Sequence, residues 1–190
     1  MRNLHLIFVL ATSLLPFAAV QAAPADLPET GQTTCYNAVG AVTACAGTGQ
    51  DGDLKAGVAW PSPRFVVGTG AGVDCVTDSL TGLMWMRAPS VSNNWVNALN
   101  AADSLTLCGF SDWRLPNVNE LESLVNSEAA IQATFLNAQG FNFVQANDYW
   151  SSSSYVASAA NAWIVDMSNG IVFASFKTLS NYVWPVRAGQ

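Results

Sequence analysis

The spacing of apolar residues predicts a helix in the middle of the chain. Across residues 92 to 105 apolar side chains recur three and four positions apart, which is the period of a helix with one buried face. Ser92 or Asn93 is the expected N-cap, because a short polar side chain can accept from a free amide of the first turn.

A second helix is predicted between Asn117 and Asn126, directly after a short strand and Pro116. The Asn117 side chain can accept from the amide of Glu120, while the Glu120 carboxylate returns to the amide of the cap, which is a capping box. The apolar face of this helix consists of Val118, Leu121, Leu124 and Val125.

Strand signals lie on both sides of the helices. Residues 73 to 76 and 83 to 86 are apolar and are separated by turn-forming residues, which predicts a hairpin or a bent strand. Residues 182 to 187 form a last strand, in which Pro185 cannot donate to a ladder and therefore predicts an edge or a bulge.

The strongest strand signal spans residues 163 to 176. Asn169 and Gly170 tolerate positive φ and predict a type I′ hairpin turn between two strands. The face expected to point to the core is entirely apolar and consists of Trp163, Val165, Met167, Val172, Ala174 and Phe176. The opposite face is mixed.

Two segments show no sustained period. Residues 127 to 148 place aromatic side chains among Asn, Gln and Gly, which predicts a long irregular loop of the kind that often carries binding function. Residues 24 to 63 are rich in Gly, Ala, Thr and Pro and predict an extended segment held by a disulfide.

The beginning of the chain predicts export. Arg2 precedes an apolar run at residues 4 to 20, and small residues follow, so a secretory signal peptide with cleavage after Ala22 or Ala23 is expected. Pro16 interrupts a run that is already too short for a membrane span. The predicted organisation is therefore a signal peptide at 1–22, an extension at 23–63 and an α+β domain at 64–190, with no membrane span after cleavage.

Charge and the position of histidine exclude several classes of function. The formal net charge is −6, and removal of Arg2 makes it more negative by one, so nucleic acid and anionic surfaces are poor partners. The only histidine, His5, lies in the predicted signal peptide. Histidine triads and histidine metal sites are therefore not expected in the mature protein.

The four cysteines of an exported chain favour two disulfides. Three connectivities are open, and pairing of nearest neighbours, Cys35 with Cys45 and Cys75 with Cys108, is the favoured one, because Gly40 can turn the first pair into a hairpin. The cysteine spacings are not those of a zinc motif, so no metal site is predicted.

Catalytic groups are sparse. The serines at residues 151 to 154 follow Trp150, but the sequence offers no histidine, nucleophile elbow or Ser-x-x-Lys that would activate one of them. Glu120 and Glu122 are two positions apart on a helix and do not face each other, as a glycosidase pair would. No enzymatic activity and no cofactor are predicted.

Trp113 and Arg114 admit a ligand-site interpretation, but a structural one is favoured. An arginine just before a helix rich in glutamate is expected to pair with Glu120, Glu122 or a backbone carbonyl. Trp85, Trp95, Trp150 and Trp163 are expected in the core, whereas Trp60 and Trp184, beside prolines, are the tryptophans least expected to be buried.

A series of short motifs follows in a fixed order: Thr81-Gly82-Leu83-Met84-Trp85, Asp112-Trp113-Arg114-Leu115-Pro116, Tyr149-Trp150-Ser151-Ser152, the Trp163 hairpin and Val186-Arg187-Ala188-Gly189-Gln190. This order resembles the C-terminal domain family of the Legionella collagen-like protein. The resemblance covers about residues 64 to 190. It implies a C-type-lectin-like fold, with two helices packed on a small, mostly antiparallel sheet and a long loop region before the final strands.

The named member of that family is a surface adhesin that binds sulfated glycosaminoglycans. The present sequence contains no collagen-like Gly-X-Y repeat and is acidic, so glycosaminoglycan binding is not carried over. The calcium-dependent sugar motifs of the lectin superfamily, Glu-Pro-Asn or Gln-Pro-Asp with Trp-Asn-Asp, do not occur either.

The leading hypothesis is an exported recognition module that binds a glycan or a surface protein, located in the periplasm, at the cell surface or outside the cell. The expected ligand-binding residues lie in the loops at 127 to 161 and are Asn147, Asp148, Tyr155 and Asn161. The alternative is a structural subunit of a cell-envelope assembly, and an oligomer fits either hypothesis. A third, an enzyme of the formylglycine-generating type, requires a reactive cysteine pair, and we predict that no free thiol is present.

Overall fold

The computed structural model describes residues 27–189 and has an α+β architecture, as predicted. The predicted signal peptide lies outside the described residues. The helices are α1 (Asp51–Leu54), α2 (Trp95–Asp103), α3 (Val118–Glu122) and α4 (Gln132–Ala138), with a 3₁₀ turn at Gly70–Gly72. The strands are β1 (Cys35–Tyr36), β2 (Val42–Thr43), β3 (Phe65–Val67), β4 (Cys75–Asp78), β5 (Leu83–Met86), β6 (Ser90–Asn93), β7 (Asp148–Ser154), β8 (Asn161–Asp166), β9 (Val172–Phe176), β10 (Asn181–Val183) and β11 (Val186–Ala188).

Two sheets form the body of the protein. One has the strand order β11-β5-β4-β3 and is antiparallel throughout. The other has the order β6-β10-β7-β8-β9 and is antiparallel except for the parallel pair β10 and β7. The predicted hairpin between residues 73 and 86 is confirmed as the pair β4 and β5.

The larger core lies between these sheets. Trp184 is fully buried and contacts Trp85, Phe141 and Tyr149, with ring centroids 5.8, 5.1 and 5.3 Å away. The expectation that Trp184 is among the least buried tryptophans was wrong. Strand β10 ends at Val183, and after Trp184 and Pro185 the chain continues in the other sheet as β11, so Trp184 lies at the junction of the sheets.

A smaller core covers the other face of the five-stranded sheet. Helix α2 places Ala98 and Ala102 against Trp150, Ile164 and other buried apolar side chains. The middle of β8 is therefore buried on both faces, because Ile164 packs on this side and Val165 on the other.

The first helix begins later than expected. Residues Ser90–Asn93 form β6, which pairs with β10, so the predicted cap at Ser92 or Asn93 was wrong. The cap is Asn94, whose side chain accepts from the amide of Asn97 at 3.0 Å. The first residues of the predicted helix form a strand instead, because they pair with β10, which is distant in the sequence. No local sequence pattern indicates this pairing.

The capping box of the second helix is confirmed. Asn117 accepts from the amide of Glu120 at 2.9 Å, and the Glu120 carboxylate accepts from the amide of Asn117 at 2.8 Å. The helix ends at Glu122 and not near Asn126 as predicted. The carbonyl of Ser123, the residue after the helix, accepts a hydrogen bond from the Arg64 guanidinium and not from an amide of a further helical turn.

The predicted long loop at residues 127 to 148 was wrong, since it contains α4. Inside this segment the buried Gln132 donates to the carbonyls of Asn126 and Ala129 and accepts from the amide of Asn126. The amide of Ala133 donates to the carbonyl of Met167. The helix is short, has no side-chain cap and shows no helical period in its sequence, so tertiary contacts define it.

The hairpin at residues 163 to 176 exists, but its turn is not type I′. Only Gly170 of the predicted pair has a positive φ, 84°, and Val165 faces Val172 across the ladder. The Asp166 carboxylate accepts from the amide of Ser168 and from the side chain of Asn169, which closes a four-residue loop.

Both predicted disulfides are present. Cys35 and Cys45 join the ends of the β1–β2 hairpin, which turns at Gly40 with a φ of 81°. Cys75 in β4 is joined to Cys108, which follows α2. Within residues 27–189, no helix is long and apolar enough to cross a membrane.

The extension preceding β3 is fixed to the body by hydrogen bonds. Glu128 accepts from the amides of Thr33 and Thr34 at 2.7 and 2.9 Å and from the hydroxyl of Thr34. Within the extension, Trp60 donates from its indole to the carbonyl of Glu29 at 2.7 Å. The predicted boundary at residue 63 stays a prediction.

The Glu128 contacts make the docking of the extension sensitive to acid. The hydroxyl of Thr34 and the two amides lower the pKa of Glu128 to about 2 from 4.5. A lowered pKa means that this contact stabilises the folded chain fully above pH 4.5 and is lost as the pH falls toward 2. We expect the side-chain carboxyl carbon of Glu128 and the amide proton of Thr34 to titrate together near pH 2 in an NMR experiment.

Glu128→Gln is the control for this titration, because the amide keeps the shape of the side chain and does not ionise. The Thr34 amide should then show no transition in this range. A Glu128 midpoint close to 4.5 in the unsubstituted protein would contradict the contact.

Candidate functional site

The four residues predicted to bind a ligand lie at opposite ends of β7. Asn147 and Asp148 are at its beginning, and Tyr155 and Asn161 flank the turn that follows its end. A strand of this length spans roughly 20 Å, so the two pairs belong to separate surfaces. The predicted loop region is divided because β7 and β8 run through it.

The Asp148 end is tied into the sheet. Asp148 faces Asp166 on β8, and the carbonyl of Asn147 accepts from the amide of Met167 at 2.9 Å. Burial, and after it the neighbouring Asp166 carboxylate, raises the pKa of Asp148. In residues 27–189, no group of three or more His, Cys, Asp or Glu is arranged to hold a metal ion. This end therefore offers a pair of carboxylates that share one hairpin.

The Tyr155 end is a closed turn with a fixed backbone. The amide of Tyr155 donates to the carbonyl of Asn161 at 3.0 Å, and the amides of Ser158 and Asn161 close the turn from inside. Because these hydrogen bonds hold the backbone of the turn, the backbone position of Tyr155 is fixed.

Aromatic side chains converge beside this turn, and we call Tyr155, Trp163 and Phe176 the aromatic surface. The rings of Tyr155 and Trp163 lie 4.9 Å apart in an edge-to-face arrangement. Phe176 is 60% exposed and faces Asn161 across the ladder, so it lies on the same side of the sheet as Trp163. The face predicted to be wholly in the core is buried at Val165 and Met167 but opens at this end.

A polar side chain, Asn161, borders the aromatic surface, whereas the nearby lysine lies on the other face of the sheet. The Lys177 ammonium donates to the hydroxyl of Ser154 at 2.7 Å and lies 4.0 Å from the ring centroid of Trp95 in α2, which packs on that other face. The side-chain oxygen of Asn161 is buried and has no hydrogen-bond donor among residues 27–189. A buried acceptor without a donor costs about 1–3 kcal/mol, so the protein retains it at the expense of stability.

Arg114 pairs with Glu120, as predicted for the segment from Asp112 to Glu122. Arg114 donates to both carboxylate oxygens of Glu120 at 2.7 and 2.6 Å, and its backbone pairs with Val186 of β11. Trp113 is buried. The Arg187 guanidinium, also buried, forms two hydrogen bonds with the carboxylate of Asp112.

The serines after Trp150 have structural partners. Ser151 donates to the carbonyl of Trp163, Ser152 donates to the carbonyl of Pro116, and Ser153 accepts from the amide of Val118. These bonds join β7 to β8 and to the first turn of α3. The four cysteines of the described residues are all paired.

Sequence reasoning missed a cavity between the extension and α3. It has a volume of about 470 Å³ and is lined in part by Leu27, Trp60, Arg64 and Val125. Arg64 is buried and pairs with Asp78 in β4. The contributing segments are far apart in the sequence, and no local motif joins them.

The fold therefore defines an α+β domain of two sheets with two disulfides, which is compatible with an exported protein. The model of the Lcl C-terminal domain family matches residues 74–187, more than half of the chain, and the chain belongs to this family. No curated protein matches the chain. The aromatic surface lies inside the matched segment, whereas the extension and Arg64 precede it.

Proposed function

We propose that the chain is an exported, non-enzymatic recognition module that binds a glycan or a surface protein through the aromatic surface. The observation that carries this proposal is the convergence of Tyr155, Trp163 and Phe176 beside a rigid turn. Side chains that can give large apolar contact are common at recognition surfaces, and here they are only partly buried.

The chemistry of this end of the sheet favours a neutral glycan. The face of an aromatic ring is partly negative and attracts the partly positive C–H groups of a sugar ring. Asn161, which faces Phe176 across the ladder, supplies an amide donor and an acceptor for hydroxyl groups at the border. A sugar hydroxyl that reached the Asn161 oxygen would supply the donor that this atom lacks.

The proposed scaffold is C-type-lectin-like. The first strands of the body, β3 to β5, and the last strand, β11, share one sheet, and the other sheet carries the hairpin that presents the aromatic surface. This arrangement supports a scaffold in which the first and last strands of the domain are held in one sheet, while the sequence of the hairpin inserted between them can vary. The membership of the Lcl C-terminal domain family supports the same placement.

Substitution at the aromatic surface tests the proposal. A glycan array and a pull-down with the mature protein identify the partner, and calorimetry then measures its affinity. Tyr155→Ala is expected to weaken binding about three- to tenfold, because an aromatic contact contributes roughly 0.5–1.5 kcal/mol beyond its burial.

Asp148→Ala is the matched control, since it changes the same strand at its other end. It is expected to leave the affinity unchanged. Equal losses in the two variants, or no partner in either screen, would count against the aromatic surface.

The second candidate function is a structural subunit of an envelope assembly, and the extension favours it. The β1–β2 hairpin exposes Val39, Val42 and Tyr36, at 88%, 71% and 43%, on strands of two residues each. Sedimentation that gives a monomer at every concentration would remove this candidate, whereas self-association that Val42→Ser abolishes would support it.

A further inference from the structure

The cavity between the extension and α3 contains an unused hydrogen-bond donor. Arg64 is 4% exposed, and its Nη1 is buried without a hydrogen-bond partner among residues 27–189. The other two nitrogens of the guanidinium are occupied, because Nε and Nη2 bind the Asp78 carboxylate at 3.0 and 2.8 Å and Nη2 also binds the Ser123 carbonyl at 2.6 Å.

The planar guanidinium fixes the direction of the free donor. The edge made by Nε and Nη2 faces Asp78, so Nη1 lies on the edge away from that carboxylate. Trp60 and Phe65 lie over the group, with ring centroids 4.3 and 4.6 Å from Cζ. Arg64, Trp60 and Ser123 all line the cavity. Arg64 is therefore part of the cavity wall, and its free Nη1 lies on the edge of the guanidinium away from Asp78.

The remaining wall is apolar with an acidic border. Leu27, Pro28 and Val125 contribute apolar surface, and Glu29 and Glu122 contribute carboxylates. The charge of Arg64 is balanced by Asp78, and among residues 27–189 no other Lys or Arg lines the cavity. A ligand with a neutral acceptor, an apolar group and a positive charge matches these three features, whereas an anion meets two carboxylates.

We propose that this cavity is a second recognition site, which binds a segment of a partner protein that presents an apolar side chain next to a basic one. A backbone carbonyl of the segment accepts from Nη1 of Arg64. The apolar side chain enters the space beside Trp60 and Val125, and the basic side chain lies against Glu29 and Glu122. The site is independent of the aromatic surface.

An NMR titration of the mature protein with N-acetyl-leucyl-lysine amide tests this site. The expected result is a saturable shift of the Trp60 indole N–H, the Arg64 Nε–H and amides that line the cavity. Two related peptides separate the contributions of charge and of apolar contact. The corresponding leucyl-glutamate peptide is expected to bind more weakly because its side chain is negative. The seryl-lysine peptide is expected to bind more weakly because it lacks the apolar side chain.

Glu122→Gln gives the matched protein variant, because Glu122 is exposed and its replacement leaves the fold intact. Its affinity for the leucyl-lysine peptide is expected to fall about two- to fivefold, the effect of one exposed charge pair. Asp103→Asn, an exposed carboxylate that does not line the cavity, is expected to have no effect. Tyr155→Ala is also expected to leave the peptide affinity unchanged.

Several outcomes would overturn the inference. They are the absence of shifts, equal binding of the lysine and glutamate peptides, and equal losses in Glu122→Gln and Asp103→Asn. A shortened chain that starts at Leu27 provides a further comparison. If only this chain bound the peptide, the residues before Leu27 would be the occupant. Shifts of the same residues on raising the protein concentration alone would identify a second copy instead.

Discussion

Asp78→Ala is expected to lower the free energy of unfolding by about 3–5 kcal/mol, because it leaves a buried arginine without its counterion. Asp78 has no exposed surface and accepts from Arg64 twice, from the amide of Leu80 and from the hydroxyl of Thr81. The same carboxylate thus holds both the buried guanidinium and the turn between β4 and β5. Urea unfolding followed by tryptophan fluorescence measures the effect.

Two further variants make this test specific. Asp103→Asn removes an exposed carboxylate and is expected to change the free energy of unfolding by less than about 0.5 kcal/mol. The double variant Arg64→Met with Asp78→Leu removes both charges and is expected to recover much of the loss, since a buried ion pair replaced by apolar groups is often close to neutral. A double variant as unstable as Asp78→Ala would contradict this explanation and would assign the loss to the hydrogen bonds of Asp78 with Leu80 and Thr81, which both variants lack.

The parts of the fold that follow from neighbouring residues were predictable. The capping box needs only Asn117 and Glu120, three positions apart, and both of its hydrogen bonds are present. The two disulfides join nearest neighbours in the sequence, so chain proximity favoured the correct pairing. The pairing of Arg114 with Glu120 is local in the same sense.

The parts that depend on distant contacts were not predictable. Ser90–Asn93 forms a strand because β10 lies beside it, about ninety positions further along the chain. Helix α4 has no side-chain cap and is held by Gln132, which donates to two backbone carbonyls and accepts from one amide outside the helix. The spacing of apolar residues indicates which face of a helix or strand is buried, but it does not indicate polar contacts of this kind.

The candidate site was half predictable for a related reason. Tyr155 and Asn161 flank a turn inside the region that was predicted to be loop, but Asn147 and Asp148 were grouped with them because the strand between the two pairs was not recognised. The Arg64 cavity was missed altogether. Its walls come from the extension, from Arg64 just before β3, and from α3 with the residues that follow it, and no shared sequence motif joins these segments.

The Cys75–Cys108 disulfide is expected to contribute more stability than the Cys35–Cys45 disulfide. The bridges span 33 and 10 positions, and the entropy that a cross-link removes from the unfolded chain grows with the logarithm of this span. The chain-entropy model gives about 4 kcal/mol for the longer loop and about 3 kcal/mol for the shorter one. Each bridge contains one cysteine that is at least nearly fully buried, so the two are matched in packing.

Paired substitutions to alanine, Cys75 with Cys108 and Cys35 with Cys45, test this difference in urea unfolding under identical conditions. The first variant should also show a larger m-value than the second, because its unfolded chain gains more freedom to expand. The longer bridge joins β4 of one sheet to the segment after α2, which packs on the other sheet, so its loss acts on the whole body. A larger loss from the Cys35 and Cys45 pair would mean that docking of the extension, and not the constraint between the sheets, dominates the stability of the chain.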